Sequence, residues 1–197
     1  MKILGPTLLT VMCILGVIVF TVAGFCIVHD AGAATPDAWA VGRVSDPAIM
    51  QPIFSDAGQA AATVAALLNS TTGTVRVAIY SLTEPRIFAA LTNAAGRGVD
   101  LRIVADSGEA HAATSLLPAL QRALSTNRVK LATGRGGAYG IMHHKFAVLD
   151  SRTVLTGSFN WTSNADRNNW ENFVVIQDAA VAADYGAEWT NVLRLAK

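Results

Sequence analysis

Cysteine is scarce in this 197-residue sequence: Cys13 and Cys26 are the only two. The chain beyond them has no thiol, which excludes a disulfide framework and any cysteine-based metal site there. Neither cysteine follows the small residues of a lipoprotein processing site, so both read as small apolar side chains. Charge is scarce too. Charged residues make up 15% of the chain and the formal net charge is +1. Overall charge therefore does not advertise a nucleic-acid binder, and an anionic partner has to be held by a local patch. Acidic residues are missing altogether from residues 110–149, a stretch that carries Arg122, Arg128, Lys130, Arg135 and Lys145. Such a stretch suits a polyanion or is a solvated face. No carboxylate cluster of the kind that two-metal hydrolysis needs is visible, and there is no internal repeat.

What the sequence has in quantity is apolar residues, at 52%. Residues 3–28 form a nearly unbroken apolar run behind Lys2, and Ala31-Gly32-Ala33-Ala34 offers small residues for cleavage. The run is also long enough to span a bilayer. Residues 1–34 are thus expected to be a signal peptide or an N-terminal membrane anchor, and either places the rest outside the cytoplasm, periplasmic or secreted. Residues 35–54, with Pro36, Gly42, Pro47 and Pro52, read as a linker. Residues 55–197 suit one domain with a sizeable core.

Within that domain, Ser55 or Asp56 is expected to cap a helix to about residue 69. A strand is expected over 74–80 (TVRVAIY), then a helix over 85–95 opened by Pro85, then a strand over 99–105. This β-α-β order implies a parallel pair with a right-handed crossover. A helix over 112–124, a strand over 129–132 and the glycine-rich segment 134–140 follow. Residues 142–149 and 153–156 read as a hairpin joined at Ser151-Arg152, followed by a strand over 173–176 and a helix over 179–195. The pattern predicts an α/β fold with a mixed sheet.

The most informative stretch is 143–160, HHKFAVLDSRTVLTGSFN. On a strand, alternation projects His143 and Lys145 together and sends His144 to the other face. Lys145 supplies a fixed positive charge, and Asn160 with the backbone near Gly157 supplies neutral donors, as a phosphoryl group requires. His143 is suited to nucleophilic attack or proton transfer near neutral pH.

The spacing H-x-K-x4-D-x6-G-S-x-N resembles the signature of the phospholipase D superfamily. Six such fixed positions arise by chance on the order of once in a million or less, given average residue usage. Past the signature, GSFNWTSNADRNNWEN is similar to the matching segment of the small bacterial endonucleases of that superfamily, including Glu171-Asn172. The resemblance implies a mixed sheet flanked by helices on both faces and metal-independent phosphodiester hydrolysis without a cofactor. It implies a phosphohistidine on His143, with Lys145 and Asn160 stabilising the phosphoryl oxygens, Ser158 supporting that pocket and Glu171 accepting a hydrogen bond from the imidazole. The mechanism needs a second histidine and the chain has one motif, so the resemblance also implies a homodimer that completes the site.

Other residues leave alternatives open. Asp150 either orients a histidine or holds the hairpin together. Trp161 and Trp170 stack on a base, line a lipid groove or pack beneath the site. The 134–140 segment cradles phosphate or borders the site as a loop. Asp106 and Glu109 follow a strand end, where sites often lie, or cap the next helix. The substrate expected is DNA or RNA. A phospholipid hydrolysed at a membrane, with residues 3–28 in contact with it, is the first alternative, and a non-catalytic nucleic-acid-binding component of an envelope is the second.

Overall fold

The computed structural model describes residues 12–14, 17–22, 25–30, 49–56, 58–136 and 139–197. Two compact units divide at residues 46 and 47. In the first, β1 (Met12–Ile14), β2 (Val17–Val22) and β3 (Phe25–Asp30) form an antiparallel three-stranded sheet in that order. The apolar run is described only as these strands, and among the described residues no helix is long and apolar enough to cross a membrane. The expected cleavage stretch 31–34 and the expected linker as far as residue 48 lie outside the described residues.

The second unit holds β4 (Ile49–Phe54), α1 (Gln59–Ser70), β5 (Thr74–Ile79), α2 (Pro85–Gly96), β6 (Asp100–Asp106), a 3-10 turn (Glu109–His111), α3 (Leu117–Leu124), β7 (Val129–Ala132), β8 (Lys145–Leu149), β9 (Thr153–Gly157), α4 (Ser163–Arg167), β10 (Asn172–Gln177) and α5 (Ala179–Arg194). Seven strands form one mixed sheet in the order β4-β10-β9-β8-β5-β6-β7. β5, β6 and β7 run parallel, and every other neighbouring pair is antiparallel. Strand alternation divides the core. Val75, Val77, Ala147, Leu149 and Leu155 face α1, α2 and α3, while Ala78, Val104, Phe146, Val148 and Val154 face α5. The expected α/β sheet with helices on both faces is the observed one.

Three expectations need correction. Residues 49–54 were expected to end the linker, yet they pair with β10 from Asn172↔Phe54 to Gln177↔Ile49 as an edge strand. Pro52 disguises this strand in the sequence, because proline is tolerated in a sheet only at an edge, where its missing N–H faces outward. Ser55 and Asp56 do not cap α1. The N-cap is Gly58, in the left-handed region at φ 88°, and the N–H of Ala61 is met by Asp166 Oδ1 at 2.8 Å. The helix expected from residue 112 begins at Leu117, with Pro118 in its first turn. At the opposite edge, β7 is not left bare: Leu131 exchanges two backbone hydrogen bonds with Lys197.

One cluster ties α1, α2 and α4 together. Glu84 and Asp166 are fully buried, and Arg86 donates to both carboxylates. Burial pushes Glu84 up, but hydrogen bonds from Arg86 and Ser163 outweigh it and hold its carboxyl below the usual range. Replacing Asp166 with Ala strands the Ala61 N–H and leaves Arg86 with Glu84 as its one carboxylate partner. The expected loss is about 2–3 kcal/mol, below the ~3–5 of a fully buried pair because the Arg86 side chain is 42% exposed. Urea unfolding midpoints of the wild type and the variant measure it.

Candidate active site

The site forms at the end of the sheet where β5 stops and β8 begins. Met142 to His144 precede β8 rather than belonging to it, because the Met142 N–H leaves the ladder for Asp106 Oδ2 at 2.8 Å. The chain is recaptured two residues later, where the Tyr80 N–H donates to the His144 carbonyl at 2.8 Å. His143 is thereby held at the rim as an exposed side chain, and Lys145 follows as a half-buried one.

Tyr80 is the surface on which both rest. Its ring meets the His143 imidazole edge-on at 4.6 Å, and Lys145 Nζ lies 5.1 Å from its centre. Lys145 Nζ also donates to the His143 carbonyl at 2.9 Å. The sequence reading missed Tyr80, although it ends the 74–80 strand and such strand ends are where α/β sites gather. His143 and Lys145 do project together, as alternation predicted. His144 goes to the other side, edge-on to Phe146 and 3.2 Å from Glu188 Oε1.

Electrostatics follow from this crowding. Burial pushes Lys145 below the usual lysine value, and the Glu171 carboxylate only partly offsets it. Burial likewise pushes His143 below its ordinary 6.5, helped by the Lys145 charge and opposed by Asp106 and Glu109. Tyr80 is pushed up by burial and by Glu109. A neutral imidazole thus sits beside a cation poor in solvent, which is a nucleophile beside an unmet demand for negative charge.

The other half of the site comes from the segment after β9. Gly157 is required because a Cβ there would run into the Asn172 carbonyl. Ser158 Oγ donates to Glu171 Oε2 at 2.6 Å, and Ser158 N–H donates to the Asn172 carbonyl at 2.9 Å. The N–H groups of Thr83 and Glu84 both donate to the Trp161 carbonyl, which docks the segment against the residues just after Tyr80. Asn160 lies in this docked segment, and its Oδ1 is buried with no partner among the described residues. No intrachain bond therefore fixes which end of its amide faces the site. Glu171 takes its hydrogen bonds from Ser158 and from Asn169, the latter at 3.2 Å, and none from His143. Its carboxylate acts on Lys145 instead.

Asp150 does not belong to this constellation. It stands seven residues beyond His143 along an extended chain, on the order of 20 Å away. Its carboxylate accepts backbone N–H groups from Thr72, Gly73 and Thr74 at 3.3, 2.8 and 2.9 Å. Asp150 and Ser151 both have positive φ, at 50° and 53°, which makes the tight hairpin turn. Of its two readings, these contacts fit the structural one. Asp106 Oδ1 caps the 3-10 turn through Gly108 and Glu109. Trp161 is core, while Trp170 is 96% exposed. The glycine-rich segment closes on itself through Gly134 N–H to the Gly140 carbonyl at 3.0 Å, and its residues 137 and 138 lie outside the described ones. Between it and α5 lies a cleft of about 510 Å³ that includes Ile141, Met142, His143, Glu188, Val192 and Leu195. Among the described residues no three His, Cys, Asp or Glu side chains gather as a metal site would require.

Comparison with known proteins fits this arrangement. The family model described as cardiolipin synthase, PLD-like domain, matches residues 64–193. The chain belongs to the phospholipase D superfamily. A phospholipase D of Rickettsia bellii is 39% identical over 110 residues, 56% of this chain and 52% of that one. The crystal structure of a phospholipase D family member, Nuc from Salmonella typhimurium, superposes with a TM-score of 0.67 at 31% identity, over 77% of this chain and 97% of that one. NucT from Helicobacter pylori gives 0.67 at 27% identity, over 75% and 98%. The chain spans about half the length of the curated relatives it matches.

Replacing Asp150 with Ala leaves three backbone donors to water. It is expected to lower stability by about 1–2 kcal/mol while turnover per folded molecule is retained. Thermal melts paired with phosphodiester assays check this, and a folded but inactive variant would restore Asp150 to the site.

Proposed function

We propose that this protein is a phosphodiesterase, and that its substrate is nucleic acid cleaved with low sequence specificity. The observation that carries the phosphodiesterase reading is the packing of His143 and Lys145 on the single ring of Tyr80. It presents a nucleophile and a charge for the phosphoryl oxygens from one face. His143 attacks phosphorus, a P–N bond forms, and the bond to the leaving oxygen breaks as a second histidine gives that oxygen its proton. The second histidine then takes a proton from water, which displaces His143. Lys145 and the Asn160 amide stabilise charge on the non-bridging oxygens, the usual large electrostatic contribution, with Ser158 and Glu171 bracing the pocket. The steps use protein groups alone, without a metal or cofactor. The near-complete match to Nuc over that chain's length supports the nuclease reading.

A second reading has its own support. The cleft beside His143 is lined in part by Ile141, Met142, Val192 and Leu195, which suits an acyl chain, and the Rickettsia relative is named phospholipase D. Comparing DNA, RNA and phosphatidyl headgroup release by the purified chain separates the two. Export, with residues 1–34 as leader or anchor, remains part of the proposal and is checked by fractionating cells that express the full chain.

The second histidine has no source within the described site. His144 is engaged with Glu188, and the exposed His111 lies against the Ser107 carbonyl through Nδ1 at 2.7 Å. A two-fold homodimer supplies it by placing two copies of His143 across one cleft. Co-refolding equal amounts of wild-type and His143→Ala chains tests this. Random pairing leaves roughly one quarter of the dimers wild-type, so activity should fall to about a quarter. A value near one half, or full activity from a monomer, contradicts the shared site.

The pH dependence has a definite sign. Attack requires unprotonated His143, and its pKa lies below the ordinary 6.5. The acid limb of kcat/KM, measured in EDTA, should therefore fall below 6.5, with activity rising as pH rises through it. A limb above that value, or no activity until a metal is restored, contradicts the mechanism.

A further inference from the structure

The turn between α4 and β10 carries a feature that the catalytic steps leave unused. Asn164, Arg167, Asn168, Asn169 and Trp170 are all exposed, and the Trp170 indole is almost wholly in solvent at 96%. Tryptophan normally buries on the order of 200 Å² of mostly apolar surface, as Trp161 does nine residues earlier in the core. The exposure does not come from a slack backbone. One hydroxyl grips both neighbours of Trp170: Ser55 Oγ donates to the Asn169 carbonyl at 2.7 Å and accepts the Glu171 N–H at 2.8 Å. The Asn169 side chain adds bonds to Glu171 at 3.2 Å and from Asn164 at 3.1 Å. The ring thus projects from a fixed point one residue from Glu171, whose charge acts on Lys145.

On the C-terminal side of the ring the nearest charge, Glu171, is taken up by Ser158 and Asn169; on the N-terminal side the exposed charge is positive. Asp166 and Glu84 turn inward to Arg86 and are fully buried. Arg167 is 61% exposed and touches Glu84 only at 3.9 Å. Across residues 164–170 the one exposed formal charge is therefore positive. A free aromatic face, a cation and a row of side-chain amides beside a phosphodiester site match the requirements of an unpaired nucleotide: the base stacks and the phosphate meets the cation. A duplex base already has both faces covered and gains nothing from such a ring.

We propose that Trp170, with Arg167 three residues before it, forms a stacking platform that holds an unpaired base flanking the scissile phosphate, making single-stranded nucleic acid the preferred substrate. This rests on the nuclease reading and narrows it.

The test uses the full chain. In a His143→Ala background, oligothymidylate should quench indole fluorescence, and the quench should vanish in Trp170→Ala. Binding should weaken about five- to a hundred-fold, the range of one base–aromatic stack, and Trp170→Phe should recover most of it. In the active background, the ratio of kcat/KM for oligothymidylate to that for bis(p-nitrophenyl) phosphate should fall by a similar factor. Equal binding by Trp170→Ala, or an equal fall on both substrates, overturns the platform. So does dissociation of the oligomer on sedimentation, which would make Trp170 an interface residue, or quenching by phosphatidylglycerol vesicles and not by oligothymidylate. Failure of the nuclease reading looks different: the wild type would turn over bis(p-nitrophenyl) phosphate and leave oligothymidylate intact whatever stands at position 170, and the platform would fall with it.

Discussion

Arg86 is the constraint on which the rest of the second unit depends. Two carboxylates, Glu84 and Asp166, are removed from water at the junction of α1, α2 and α4. Neither is tolerable as a charge without a partner, and a single guanidinium serves both. Because Asp166 also receives the first turn of α1 and Glu84 holds Ser163, the cluster sets where α4 lies. That in turn sets the segment just before α4, in which Trp161, next to Asn160, meets residues 82–84 beyond the end of β5. One half of the site is therefore positioned by electrostatics remote from it.

The other half is positioned by packing. Tyr80 keeps water from the flank of His143 and lies beneath the Lys145 ammonium, so the same contact orders two side chains and lowers the cost of leaving His143 neutral. Desolvation weakens a lysine's hold on its own proton, yet it also strengthens its pull on any anion that enters. The pocket is thus less at ease empty than it would be around a phosphoryl group.

What could be read in the sequence was what depends on near neighbours. Strand alternation placed His143 and Lys145 together and His144 apart, and Pro85 marked the start of α2, because both signals act within a few residues. The spacing from His143 to Asn160 carried the family. What could not be read depends on distant partners. Ser55 looks like a helix cap until Asn169 and Glu171, more than a hundred residues on, take its hydroxyl. Asp150 sits inside the motif but spends its carboxylate on Thr72–Thr74. Glu171 was expected to meet an imidazole and meets Ser158 and Asn169 instead. Residues 49–54 lack the alternation of a strand because most of them face solvent at the sheet's rim.

The two rims of that sheet bear on how copies of the molecule can meet. At β4, Pro52 removes a donor from the middle of the outward-facing ladder. At β7, Leu131 has already spent its outward N–H and carbonyl on Lys197. Neither rim offers an uninterrupted row of backbone groups, so a sheet running from one molecule into the next would have to break a bond or leave a gap. Association through side chains around the mouth of the site carries no such penalty. A fold with its lateral growth stopped at both ends can thus present an apolar strand such as β4 at its rim without inviting open-ended stacking.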